Sequence, residues 1–257
     1  MGIEVKSLKA LLGCYENNIS VALISDTHIG GQFESFERYK QAYEIIAEFG
    51  IKDVFHLGDF FEGGSNPNDT VYNQSLEQTM LEKDIEKAIF NYPSIPSIKT
   101  FIVRGYHDTM YDKNLDRLCM IEQLCRYRED LINITSQTIT DAKYLNVHSD
   151  IYLWDNVKIL FRHGDAENIS INPTREEIAL TITGHYHNFK FGYHEDFQSK
   201  NELPNNHRLH VPELRTKLLN DEADFVLMKL GEEYIEIDPI YMDNNQLTLS
   251  KKTRIYR

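Results

Sequence analysis

Five short apolar runs limit what this chain can fold into. They are ISVALIS (19–25), KDVFHLG (52–58), IKTFIVRG (98–105), VKILFRHG (157–164) and IALTITG (178–184), each stopping at Gly, Ser or a charged residue. Runs of this kind read as strands buried on both faces. Helical patterns lie between the early ones. Phe36, Tyr39, Tyr43 and Ile46 fall at spacings of 3, 4 and 3, and residues 70–91 put Leu81, Ile85 and Ala88 or Ile89 on one stripe. Leu115, Leu118, Ile121 and Cys125 continue the pattern. The first half therefore reads β-α-β-α-β, a sheet covered by helices. The end differs: ADFVLMKL (223–230), EYIEIDPIYM (233–242) and QLTLSKKTRIY (246–256) read as successive strands joined by turns. Residues 195–215, with Pro204 and Pro212, read as a long loop. Residues 1–18 are weakly patterned, as a leading helix or the remainder of an upstream region would be, and 1–257 is expected to form one domain.

Composition excludes some functions. No apolar run approaches the roughly 18–20 residues that span a bilayer, and no basic segment followed by an apolar one opens the chain. The formal net charge of −13 argues against gripping nucleic acid through a broad basic surface. That argument weakens where carboxylates hold metal ions, because bound dications change the local field. Cys14, Cys119 and Cys125 show no CxxC spacing and read as free thiols, which suits a reducing cytosol.

Five places join a strand end to residues able to bind metals. They are SDTH (Asp26, His28), LGDFFEGG (Asp59), RGYHD (His107, Asp108), RHGD (His163, Asp165) and TGHYHN (His185, His187). Sites in open α/β sheets form outside the carboxyl ends of strands, so clusters far apart in sequence can converge. Residues i and i+2 of an extended chain project to one side, which would aim both members of each DxH or HxH pair into one cleft. Imidazole with carboxylate suits Mn, Fe, Zn, Co or Ni. A bridging Asp between two ions about 3.5–4 Å apart suits phosphate-ester chemistry. A lone DxH is more often a turn carrying a surface histidine, and a lone His163 could be a satisfied core residue. Five such clusters in order are hard to explain that way.

In this order the motifs resemble the calcineurin-like metallophosphoesterase superfamily, whose pattern runs D-x-H, G-D, G-N-H-D/E, H, G-H-x-H, from residue 19 to about 190. The resemblance implies an α/β fold, a four-layer αββα sandwich of two mixed β-sheets flanked by helices. It also implies a dinuclear centre with two divalent metal ions, Mn first. Asp26, His28 and His187 would hold the first ion, Asp59 would bridge, and His163 and His185 would hold the second. His107 would be general acid or oxyanion stabiliser, oriented by Asp108. The expected substrate is a phosphate ester, with no membrane and a cytoplasmic location. The segments DTHIGG and GDFFEGG look closer to Mre11/SbcD-like nucleases and related phosphodiesterases than to protein phosphatases. The acidic charge favours a phosphodiesterase over a DNA nuclease, and a non-catalytic scaffold binding a partner is the alternative of another class.

Other residues carry weaker readings. His56, an odd offset from Asp59, reads as core or support. His194, His207 and His210 default to solvent, although His210, just before VPEL, resembles a family segment that lies near the cleft. Arg104 and Arg162 either approach a phosphate or pair with surface carboxylates, and Glu232, Glu233, Glu236 and Asp238 read as a solvated face.

One position departs from the pattern. The family places Asn, a ligand of the second ion, where this chain has Tyr106. The phenol could ionise against the metal, swing away, or fill the pocket; a second site that is weak or partly occupied is expected. Tyr106→Asn should then tighten the second step of a metal titration without changing the first. Equal stoichiometry and affinity in both forms would refute this.

Overall fold

The computed structural model describes residues 5–14, 16–63, 74–109, 120–135, 149–155, 157–164, 178–193, 207–215, 223–243, 246–249 and 252–256. The first half contains β1 (Val5–Ser7), α1 (Leu8–Leu12), β2 (Ile19–Ile24), α2 (Phe36–Glu48), β3 (Asp53–His56), α3 (Gln74–Asn91), β4 (Lys99–Ile102), α4 (Tyr106–Thr109), α5 (Met120–Tyr127) and β5 (Leu131–Asn133). The second half contains β6 (Ser149–Trp154), β7 (Val157–His163), β8 (Ile178–Gly184), β9 (Lys190–Tyr193), β10 (His207–His210), β11 (Phe225–Leu230), β12 (Tyr234–Asp243), β13 (Gln246–Leu249) and β14 (Thr253–Tyr256).

Strands β2, β3, β4 and β5 pair in sequence order, all parallel, and β11 to β14 extend the same sheet antiparallel, making eight strands. The second sheet has six strands in the order β1-β6-β7-β8-β10-β9. Parallel strands in sequence order need crossovers on one face, and α2, α3 and α5 supply them. Their apolar stripes (Tyr39, Tyr43 and Ile46; Leu81, Ile85 and Ala88; Ile121 and Leu124) pack on Ala22, Ile24, Val54 and Ile102. Helix α2 starts where the Ser35 hydroxyl accepts from the Arg38 amide and stops before Gly50 at φ 70°. The other face of the sheet meets the six-stranded sheet. Val21, Leu23, Phe55, Phe101 and Val103 pack there on Tyr152, Trp154, Ile159, Phe161, Leu180 and Leu209. Two mixed sheets packed face to face, with α2, α3 and α5 on the outer face of the eight-stranded one, make the α/β sandwich expected from the resemblance.

Several expectations change. The long loop expected over 195–215 contains β10, which pairs parallel with β8 and antiparallel with β9. The run 246–256 is two strands, and both lie antiparallel along β12. Residues 5–12 form an edge strand and a short helix whose Leu8 is fully buried. Glu236 and Asp238 belong to no solvated face: both are buried on β12, beside Lys252 and Arg254. Arg104 and Arg162 are also buried. Leu115, Leu118, Cys119, Asp165 and His194 lie outside the described residues; Cys14 and Cys125 are in no disulfide. Among the described residues no helix is long and apolar enough to cross a membrane.

The sheets are joined at Phe55, whose ring stacks on Phe101 of its own sheet at 5.2 Å and on Phe161 of the other at 4.7 Å. Emptying this position leaves a cavity between sheets that cannot collapse independently. Phe55→Ala should cost about 3–5 kcal/mol in urea unfolding at unchanged m-value. A loss below about 1 kcal/mol would show that the stack does not hold the sandwich together.

Candidate metal centre

Turns at the carboxyl ends of β2, β3 and β4 lie side by side. The backbone N–H of Asp26 donates to the Gly58 carbonyl (3.0 Å), that of His28 to Asp59 (3.0 Å) and that of Ile29 to Phe60 (2.9 Å). Gly58 has φ 91°, and a Cβ there would sit 2.6 Å from His163 Nδ1 and 2.7 Å from the Gly105 Cα, so only glycine lets three turns approach this closely. The six-stranded sheet contributes from the opposite side. His163 ends β7 in register with Gly184 of β8, and His185 and His187 follow.

Both members of each i, i+2 pair reach the cleft, but not by the pleat of an extended strand. Asp26, His28, Asp59, His185 and His187 have φ values of 53°, 48°, 50°, 80° and 60°. Among the described non-glycine residues, Asp155 alone shares this left-handed backbone. Such conformations cost about 1–3 kcal/mol each and cluster where a structure must aim a side chain.

The side chains form three overlapping groups whose donor atoms lie within 4.8 Å of one another: Asp26 with His28 and His187; Asp59 with His163 and His185; and His28 with Asp59 and His107. His187 Nε2 is 3.4 Å and His28 Nε2 3.7 Å from Asp26 Oδ1, and His163 Nε2 is 2.9 Å from Asp59 Oδ2. Asp26 Oδ1, His28 Nε2 and His163 Nε2 are all buried without a hydrogen-bond partner. The 2.9 Å contact therefore lies off the hydrogen-bond axis. Two donors each about 2.1 Å from one ion at a right angle lie about 3 Å apart. Unsatisfied nitrogen and oxygen at that spacing fit a divalent cation.

Charge supports the fit. Burial would raise Asp26, but His187 and His28 hold it well below the ordinary carboxylate range. Asp59 is lowered against the same burial by His163. Burial lowers His163, yet Asp59 and Asp26 outweigh it and raise the imidazole to about 9. His187 is raised to about 10 by Asp26 and then Glu213. Burial and the neighbouring His163 lower His185. Protons and cations compete for these nitrogens, so metal uptake would release protons.

The partners of the Asp108 carboxylate are backbone groups. It accepts from the backbone of Phe61 (2.9 Å), Phe60 (3.3 Å) and Gly105 (2.7 Å), tying two site turns together, and burial with nearby Asp59 raises its pKa. The partner of His107 Nδ1 is instead the Glu62 carbonyl, while the His107 amide donates to Asp59 Oδ1 at 2.8 Å. The Tyr106 ring lies edge-on to His107, centroids 5.5 Å apart. His56 is fully buried, its Nε2 3.0 Å from the Thr27 hydroxyl, which donates to the Phe60 carbonyl. It thus holds Thr27, the residue between Asp26 and His28. His210 is buried, against the solvent default and in line with the near-cleft resemblance, and stacks on Tyr186 at 4.0 Å. Sequence reasoning missed Glu62 and Glu213, whose carboxylates lie 2.9 Å from His28 Nδ1 and 3.0 Å from His187 Nδ1. Glu62 was within reach of it, three residues after Asp59 in LGDFFEGG.

A family model described as calcineurin-like phosphoesterase matches residues 19–226. No curated protein sequence matches. Among solved structures, a dimetal phosphatase from Danio rerio is 10% identical, with a TM-score of 0.54 over 93% of this chain and 98% of that one. Vacuolar Protein Sorting 29 from Cryptosporidium parvum is 15% identical, with a TM-score of 0.47 over 94% and 100%. At 10% identity the likeness to the dimetal phosphatase is one of fold alone.

His56 yields a pH prediction. Burial lowers its pKa to about 3, against about 6.5 in an unfolded chain. The neutral ring therefore favours the folded state above pH 6.5, and that contribution is lost as pH falls from 6.5 toward 3. Without metal, in chelator, each pH unit below 6.5 should cost about 1.4 kcal/mol from this group. His56→Gln should flatten that part of the urea-midpoint profile, and an identical slope in both proteins would exclude the assignment.

Proposed function

The chain belongs to the calcineurin-like phosphoesterase family, and on that premise we propose that it is a metal-dependent hydrolase of phosphate esters, acting on diesters. The observation that carries this reading is the meeting of Asp26, His28 and His187 with Asp59, His163 and His185, several of their facing atoms buried and unpaired. Asp26, His28 and His187 would hold one divalent ion, His163 and His185 a second, with Asp59 between them. Bound cations supply Lewis acidity toward the phosphoryl group and make water a nucleophile near neutral pH. The mixed imidazole and carboxylate donors suit Mn first, with Fe, Zn, Co or Ni as alternatives.

The chain's own groups do the rest. His107 Nε2 lies 4.0 Å from Asp59 Oδ2, facing the same space. The Glu62 carbonyl holds its Nδ1–H, so Nε2 is the atom that would carry the second proton of the imidazolium and pass it to the leaving oxygen. Asp108 supports this indirectly, by clamping the turn that carries His107. Diesters are favoured because DTHIGG and GDFFEGG resemble the nuclease and phosphodiesterase branch; the net charge of −13 speaks against DNA. That Cys14 and Cys125 are in no disulfide agrees with the cytoplasmic location we propose. Tyr106, where the family has Asn, is the feature favouring a non-catalytic scaffold.

With Mn²⁺ the protein should hydrolyse bis-p-nitrophenyl phosphate faster than p-nitrophenyl phosphate. His107→Ala should lower turnover about 10²–10⁴-fold while metal binding persists. No turnover with any of the five metals would decide for the scaffold, and preference for the monoester would remove the diester assignment.

A further inference from the structure

The two candidate ion sites differ in what stands behind their histidines. His28 and His187 each have a carboxylate on the nitrogen turned away from Asp26: Glu62 Oε2 at 2.9 Å from His28 Nδ1, a charge contact off the hydrogen-bond axis, and Glu213 Oε2 at 3.0 Å from His187 Nδ1. Behind His163 stands an uncharged group, the Leu57 carbonyl, 2.6 Å from Nδ1, and His185 is exposed to solvent. Backbone has been shaped to admit both carboxylates. A Cβ at Gly31 would fall 2.5 Å from Glu62 Oε2, so the glycine of DTHIGG leaves room for that side chain. Glu213 sits where the chain passes from one sheet to the other: the Val211 amide donates to Thr183 of β8, and the Leu214 amide to Ser25 beside Asp26.

Arg215 sharpens the role of Glu213. Its Nε lies 2.6 Å from Glu213 Oε2, and its Nη2 lies 3.1 Å from His187 Nδ1. A guanidinium only donates. His187 Nδ1 therefore either donates its hydrogen to Glu213 or accepts one from Arg215. In the first case Nε2 keeps its lone pair toward Asp26 and can hold a cation; in the second Nε2 carries the hydrogen and cannot. Glu213 Oε2 accepts from Arg215 Nε and lies 3.0 Å from His187 Nδ1, so its negative charge favours the first case against the Arg215 Nη2 contact that favours the second.

We propose that Glu213 and Glu62 are positioning residues that fix His187 and His28 with Nε2 free and add negative charge behind them, so that the Asp26–His28–His187 site takes up a divalent cation first and more tightly than the Asp59–His163–His185 site. The inference rests on the metal-centre reading above. Carboxylate partners of ligating histidines are worth about 10–100-fold in metal affinity. The order of loading then follows from the charge behind each pair of imidazoles, independently of Tyr106.

The test is titration of the chelator-stripped full chain with Mn²⁺ alone by calorimetry and with Co²⁺ alone by visible absorption. Wild type should show two steps of unequal affinity. Glu213→Gln should weaken the tighter step about 10–100-fold and leave the weaker one unchanged. Arg215→Ala should not weaken it. The double variant Glu213→Gln/Arg215→Ala should regain much of the loss, since a glutamine carbonyl can accept from Nδ1–H once no guanidinium competes. Glu62→Gln provides a second, independent variant through His28, and melting in chelator checks that each variant is folded. Two equal steps in wild type, an unchanged tight step in Glu213→Gln and Glu62→Gln, or equal weakening of both steps would overturn the inference while leaving the metal centre standing. If wild type binds no cation, both fall.

Discussion

Two buried carboxylates, Asp26 and Asp59, at the ends of neighbouring parallel strands govern this structure. Taking a carboxylate out of water is costly unless positive charge or hydrogen-bond donors reach it. Here both carboxylates are lowered in pKa despite burial, by imidazoles delivered from other turns, with His28 of Asp26's own turn beside them. His163 and His187 come from the opposite sheet, so the charge balance of the site exists only when the sheets are packed together. Folding and the assembly of the centre are one event.

Backbone geometry shows the same coupling. Left-handed conformations at Asp26, His28, Asp59, His185 and His187 are unfavourable for residues with a Cβ. They persist because the turns are cross-linked: Asp108 accepts three backbone N–H groups, His56 holds Thr27, and His185 donates its amide to Asp26 Oδ2 at 2.9 Å. Gly58 and Gly105 allow the turns to approach within distances a side chain would forbid. The strain is thus concentrated where imidazoles and carboxylates are aimed, and the apolar sandwich, with Phe55 between Phe101 and Phe161, carries its cost.

The parallel half of the fold was legible because strands covered on both faces read as unbroken apolar runs, and β2, β3, β4, β7 and β8 all fall within the runs that announced them. His207–His210 was not, because a strand of two histidines, an arginine and a leucine has no local signature; pairing with β8 and β9 makes it one. The break between β13 and β14 was invisible for a similar reason. The i, i+2 spacing brought Asp26 with His28 and His185 with His187 to the cleft, though by left-handed turns and not by the pleat. Asp108 sits beside His107 in sequence yet serves the backbone, and a carbonyl, which no sequence pattern marks, turns the His107 ring.

The order of residues alone determined the strand and helix alternation, the family and which side chains offer ligand atoms, because hydrophobic period and residue chemistry are local properties. Tertiary structure alone decided what stands behind each imidazole: Glu62 behind His28, Glu213 and Arg215 behind His187, a carbonyl behind His163. Glu213 lies 26 residues from His187 in the chain and 3.0 Å from it in space. A contact between turns of separate strands follows from how two sheets are registered and packed, and that register is a property of the whole core.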